Sequence, residues 1–205
     1  MARRDTTLAA LVQADDAEDA DRTLGRKMRQ IRKSRGLSLQ KVAERANLSV
    51  GLISQIERGL TSPSIRSLRQ LGAALDVPVE QFFTLAEPPK AYEEGHIVRP
   101  RHRRVLNLTH TGITTELITP DSSGALQMFI ANIEPGGGSG PELDVHEGEE
   151  AGLVLAGRLE LWLGDKHFLL DEGDSFRFSS AVPHRYANPG IMTARIQWVI
   201  TPPIY

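Results

Sequence analysis

Near residue 105 the spacing of apolar side chains changes from the helical period of about 3.6 to the strand period of about 2, and no single packing layer accommodates both. Upstream, Leu24, Met28 and Ile31 recur at helical spacing before Gly36, and a Ser38 cap precedes Leu39, Val42, Ala43 and Ala46. A third helix is predicted over 49–58. Pro63-Ser64 opens a fourth, with Ile65, Leu68, Leu71 and Leu75 facing inward, and a final turn at 79–83 adds Phe82 and Phe83. Downstream, strands are predicted over 112–119, 125–134, 151–163, 166–170, 174–179, 184–187 and 192–201, punctuated by glycine-rich turns such as Gly164-Asp165 and Glu172-Gly173. The pattern describes a two-domain α+β chain: a five-helix unit over 22–84, a proline-bearing linker over 85–104 and an all-β sandwich or barrel over 105–205. Residues 1–21, rich in alanine and acid with weak periodicity, read as a flexible acidic tail.

Charge divides at the same boundary. The net formal charge of −2 conceals twelve Lys/Arg against four Asp/Glu over 22–83, and five against thirteen over 105–205. A basic helical half suits a polyanion, and an acidic β half suits a different task. The chain has no cysteine, which fits a reducing cytoplasm. The acidic run at 15–21 follows the first residues without an apolar core, so no secretory signal is expected, and no stretch approaches the ~18 apolar residues that span a bilayer.

The segment 47–59, Asn-Leu-Ser-Val-Gly-Leu-Ile-Ser-Gln-Ile-Glu-Arg-Gly, has the makings of a short capped helix. Ser49 can accept from an orphan N–H of the first turn, and Gly59 supplies a left-handed stop. Ile53 and Ile56 share one face, while Val50, Gly51, Ser54, Gln55 and Arg58 point elsewhere, a combination that suits a DNA major groove. Together with Ile31-Arg32, Gly36-Leu37-Ser38 and Val42-Ala43, residues 23–83 resemble the helix-turn-helix domain of lambda-repressor-like (XRE-type) transcriptional regulators. The resemblance implies that 38–46 is the supporting helix and 49–58 the recognition helix. It places Val50, Gly51, Ser54 and Gln55 at the bases, with Gln55 able to pair with adenine, Arg58, Ser62, Ser64 and Arg66 near phosphates, and the cap residue Ser49 also in the DNA-binding set. It also implies an internal ion pair between Arg32 and Glu57. Many relatives carry a phosphate-gripping glutamine where this chain has Leu39, so part of the specificity is expected from DNA shape or dimer spacing. Leu52, Ile53, Ile56 and Ala43 are expected in the core.

In the β half, Pro135-Gly-Gly-Gly, Asp144-Val-His146-Glu-Gly-Glu-Glu150 and Gly157 are followed by Gly173-Asp174 and Val182-Pro183-His184-Arg-Tyr-Ala-Asn188. This half resembles the cupin superfamily over about 125–203, which implies a double-stranded β-helix (jelly-roll) barrel. Metal-binding cupins draw ligands from His-x-His-x(3)-Glu and a later histidine. Those positions are Asp144, His146, Glu150 and His184, with aspartate replacing the first histidine. Such a set suits one divalent ion, Fe, Mn, Ni or Zn. Glu149-Glu150 also reads as an ordinary acidic turn and His184 as a hydrogen-bonded barrel histidine. His96, His102, His110 and His167 lack a ligand pattern. Phe129, Trp162, Phe168, Phe176, Phe178, Tyr186 and Trp198 are expected in the barrel core, one or two of them lining a ligand-sized pocket.

These readings converge on a cytoplasmic, sequence-specific DNA-binding regulator, acting as a homodimer on operator DNA, whose cupin half senses a small-molecule effector, and not on an enzyme. The alternative is a metal-dependent cupin oxygenase or epimerase that keeps the helical unit for assembly; His146, Glu150 and His184 would suffice for its metal.

Overall fold

The computed structural model describes residues 5–85, 93 and 95–203, with side chains from residue 19 onward. Four α-helices come first: α1 (Asp5–Ser34), α2 (Leu39–Ala46), α3 (Val50–Glu57) and α4 (Ile65–Leu75). The expected fifth helix is a single 3-10 turn, Val79–Phe82, because Pro78 enters in extended conformation and Phe83 leaves in it. It still buries Phe82 and Phe83 beneath α1 and α4. Serine side chains cap three helices as their sequences require: Ser38 accepts from the Lys41 N–H, Ser49 from that of Leu52 and Ser64 from that of Ser67.

The expected tail is a correction. Residues from Asp5 onward belong to α1, which continues unbroken to Ser34. No glycine or proline interrupts the chain between Asp5 and Leu24, and its alanines are strong helix formers, so nothing local stops the helix short of residue 22. Asp21, assigned to the tail by composition, is buried and accepts from the Thr109 hydroxyl in the β half. Gly25 sits mid-helix for a packing reason. A Cβ there would lie 2.2 Å from the Ile56 carbonyl oxygen, so only glycine lets α1 lie against the end of α3.

Ten strands follow, all paired antiparallel. They are β1 (Thr84–Leu85), β2 (Arg104–Leu108), β3 (Ile113–Leu117), β4 (Gln127–Ile133), β5 (Glu149–Ala156), β6 (Leu159–Leu163), β7 (Lys166–Leu170), β8 (Ser175–Ser179), β9 (His184–Ala187) and β10 (Ala194–Thr201). Seven form one sheet in the order β1-β2-β3-β4-β10-β5-β8, and three form a second, β7-β6-β9. Leu106, Ile113, Phe129, Ile196 and Trp198 of the larger sheet and Leu159 and Leu161 of the smaller are buried in one continuous hydrophobic cluster, which also takes in the core of the helical half.

The strand expected over 151–163 is two strands, because Gly157 adopts a left-handed φ of 77° and turns the chain from one sheet into the other. The expected linker is structured at its ends. Thr84 pairs with Val105 and Leu85 with Arg104, so the chain leaving the helices starts the larger sheet. Within it, Pro100–His102 form a 3-10 turn and Glu93 is buried against Arg99. Residues 86–92 and 94 lie outside the described residues.

Candidate functional site

Two sites were expected, one on α3 and one in the β half. On α3, Ile53 and Ile56 are buried, while Val50, Gly51, Gln55 and Arg58 are exposed and Ser54 is half-buried. The Arg58 guanidinium donates to the Ser54 carbonyl at 3.2 Å, which leaves its charge at the end of the helix. Gly59 follows with φ 68°. Arg32 and Glu57 form a bidentate pair, at 2.6 Å and 2.9 Å, and Arg32 also donates to the Leu37 carbonyl at 2.9 Å. One guanidinium thus ties α1, the α1–α2 turn and α3 together, with hydrogen bonding to Glu57 raising its pKa against the opposing effect of burial. This fixes the angle at which the exposed face of α3 is presented.

The other expected phosphate contacts face the β half. Ser62 is buried, its N–H donating to His110 Nδ1 at 3.2 Å and its hydroxyl accepting from the His110 N–H at 2.9 Å. Ser64 is occupied as the α4 cap and lies beside the 139–142 loop. Arg66 pairs with Glu142 at 2.5 Å. One turn further along α4, Arg69 pairs with Asp144, and both side chains are largely buried. Of the nine residues expected at DNA, those on α3 are presented outward, whereas Ser62 and Arg66 are engaged by the β half. The reason is non-local: the turn Thr109–Thr111 and the loop before β5 fold back onto α4, which a helical pattern cannot reveal.

In the β half, Asp144, His146 and His184 each present a ligand atom, and these atoms lie within 4.8 Å of one another. Their convergence does not come from one strand. Asp144 and His184 exchange backbone hydrogen bonds at 2.7 Å and 2.9 Å in an isolated antiparallel bridge, and the His146 N–H donates to the Ser180 carbonyl at 3.0 Å. Glu150, at the start of β5, is the hub. Its Oε1 lies 2.9 Å from His146 Nε2 and 3.3 Å from His184 Nε2, and Ser180 and Trp198 donate to its two oxygens at 3.1 Å and 2.7 Å.

Burial alone would raise the Glu150 carboxyl pKa. The hydrogen bonds from His146 and His184 outweigh it and bring the value down to about 2. For His184, burial lowers the pKa but the hydrogen bond to Glu150 and its charge raise it further, for a net increase. On the far side of each ring, Nδ1 faces a backbone carbonyl, Glu147 O at 3.0 Å and Val182 O at 2.9 Å, so Nδ1 carries the proton. Both Nε2 atoms then point at one carboxylate oxygen, either protonated towards it or free to coordinate a cation. Backbone-oriented imidazoles beside hydrogen-bonded carboxylates are the arrangement a divalent metal requires, and the residues present fit one.

Sequence reasoning missed Arg69, Ser180 and the role of Trp198 as a Glu150 partner. Tyr186, expected in the core, packs against Trp198 with ring centroids 4.9 Å apart and planes tilted by 47°, and burial, then the Glu150 and Asp144 charges, push its phenol pKa up. A cleft of about 630 Å³ lies between the halves, bounded by Ser62–Ser64, Gly136–Gly138 and Tyr186. No described helix is long and apolar enough to cross a membrane.

Residues 28–82 match the helix-turn-helix family and residues 129–200 match the cupin domain family. The chain is 28% identical to the HTH-type transcriptional regulator PuuR of Escherichia coli K12 over 87% of its own length and 94% of that protein. It is also 28% identical to the HTH-type transcriptional regulator SutR of the same organism, over 89% and 97% of the two chains. A crystal structure of an HTH_3 family transcriptional regulator from Vibrio cholerae shares the fold, with a TM-score of 0.62 at 23% identity, covering 90% of this chain and 98% of that one.

Proposed function

We infer that this chain, which joins a helix-turn-helix domain to a cupin domain, is a DNA-binding transcriptional regulator. The observation that carries the reading is the co-linear match of both halves to regulators along nearly their whole length. The chemistry agrees: a basic helical half presents α3 outward with Gln55 and Arg58 exposed.

In finer terms, the helical unit (22–84) acts as a five-helix lambda-repressor-like bundle, with the 3-10 turn as its fifth helix. A connection over 85–104 leads to a cupin unit (105–205) whose two sheets are the walls of a jelly-roll barrel. Val50, Gly51, Ser54 and Gln55 meet base edges, Ser49 caps the same helix at the DNA-binding surface, and Arg58, Ser62, Ser64 and Arg66 meet phosphates once the β half releases the last three. The protein works in the cytoplasm as a homodimer on a pseudo-palindrome, its recognition helices about 34 Å apart. Exposed Phe168 and Leu169 on β7 offer apolar surface for the dimer contact. The cupin half senses a small molecule, aided by one divalent ion, Fe, Mn, Ni or Zn, held by Asp144, His146, Glu150 and His184.

DNA upstream of the chain's own coding sequence is the natural probe. Titrated against the purified protein, it is expected to show a discrete retarded complex at concentrations at which shuffled DNA of equal length shows none. Identical retardation of both would overturn the regulator reading. The completeness of His146, Glu150 and His184 without Asp144 favours one second reading, a cupin enzyme. Stoichiometric metal together with turnover, both lost in His146→Ala, would establish it over the first.

A further inference from the structure

The cluster in the cupin half carries a charge that does not come from that half. Asp144 accepts at Oδ1 from the Arg69 guanidinium of α4 and from the Val145 N–H at 2.9 Å. The Arg69 and Asp144 side chains are only 16% and 13% exposed, so the pair is shielded from solvent. Asp144 is the one carboxylate paired with Arg69 among the described residues, and Arg69 Nε is buried without a hydrogen-bond partner. The same Asp144 is one of the three residues whose ligand atoms converge with His146 and His184.

We propose that Arg69 is a resident cation of the cupin site, and that a divalent metal ion binding to the Asp144–His146–His184 cluster competes with it for the Asp144 carboxylate. This rests on the regulator reading above and supplies its missing link, the contact through which the β half controls the helical half. A metal ion drawing on Asp144 leaves the Arg69 guanidinium buried opposite a second positive charge. Neither Coulomb repulsion nor the lost pairing is relieved while α4 stays docked. Arg66, held by Glu142 three residues earlier on the same helix, leaves with it. Occupation of the cluster thereby frees the α4 phosphate contacts, and by linkage any polyanion that captures Arg66 tightens the site for metal. The replacement of histidine by aspartate at position 144 acquires a purpose. A neutral imidazole could also ligate a metal but would offer Arg69 no negative charge to pair with.

Calorimetric titration of the full chain with Co(II) alone, without DNA, tests this, with d–d absorption reporting coordination. Arg69→Met keeps the aliphatic stem and removes the charge. It is expected to bind Co(II) on the order of tenfold more tightly than the parent, because no buried cation then competes with the metal for the Asp144 carboxylate. Arg69→Lys, which retains a cation, is expected to stay within about twofold to threefold of the parent, since a point charge replaces the fork but still opposes the metal. In an Asp144→His background the Arg69→Met gain is expected to vanish, and thermal melts verify that each variant is folded. Equal Co(II) affinity in the parent and Arg69→Met, an undiminished gain in Asp144→His, or no binding by any folded variant would each overturn the proposal. Because no DNA is present, these results leave the regulator reading untouched, and failure of the DNA titration leaves them untouched in turn.

Discussion

Replacing Glu57 with alanine is expected to lower the unfolding free energy of the helical half by about 3–5 kcal/mol, the cost of breaking a buried ion pair by removing one partner. The Arg32 and Glu57 side chains are 12% and 7% exposed, so solvent cannot take over the role of the lost carboxylate. Arg32 would keep only the Leu37 carbonyl, leaving most of its donors unsatisfied. The pair joins α1 to α3, so the loss spreads to the presentation of the recognition surface. Arg32→Ala should cost a similar amount for the mirror-image reason. The double variant Arg32→Met, Glu57→Leu should be less destabilised than either single, since it removes both charges together. Urea unfolding followed by far-ultraviolet circular dichroism at the helical band reports the relevant transition, while fluorescence of Trp162 and Trp198, both in the β half, follows the other half separately. A loss below about 1 kcal/mol in Glu57→Ala, the range of exposed pairs, would mean that water reaches this pair.

That pair was legible in the sequence only through its resemblance; the geometry that makes it matter was not. What sequence resolves well is local. Ser38, Ser49 and Ser64 announce helix starts because each cap uses atoms within three residues. Strands such as β6 and β10 declare themselves by alternation, since one face of each is buried. The errors share a cause. Composition assigned residues 1–21 to a tail because acids interrupt the apolar stripe, yet from Asp5 onward these residues carry strong helix formers and no breaker, and they extend a helix already nucleated and packed downstream. β2 was hidden behind the basic run ending at Arg104, and β1 by its length of two residues. Asp144, His146, Glu150 and His184 were found by motif, but their partners were not. Arg69 reaches Asp144 from a separation of 75 positions and Trp198 reaches Glu150 across 48, and neither carries a local signature. The same non-locality conceals Ser62 behind His110.

Substituting Gln55 and Arg58 with alanine is expected to separate the two components of DNA binding on α3. Gln55 contributes its backbone to α3, its carbonyl accepting from the Leu60 N–H at 3.0 Å, while its exposed side-chain amide is free to meet an adenine edge. Its removal should cost about 1–3 kcal/mol at the specific site and little on unrelated DNA, which carries no matched base. Arg58→Ala should instead weaken both alike and reduce the steepness of the salt dependence by about one unit, the signature of one lost phosphate contact. Gly51 offers no side chain and Val50 only a methyl surface, so Gln55 is expected to be the main source of base discrimination on this helix. The ratio of specific to non-specific affinity should therefore collapse in Gln55→Ala. Preservation of that ratio would transfer discrimination to DNA shape and half-site spacing. Full affinity in the double variant, measured by titration at several salt concentrations, would remove α3 from the interface altogether. Arg66→Ala provides the contrast. While Glu142 holds that guanidinium it cannot reach a phosphate, so its loss should matter less than that of Arg58 until α4 leaves the β half.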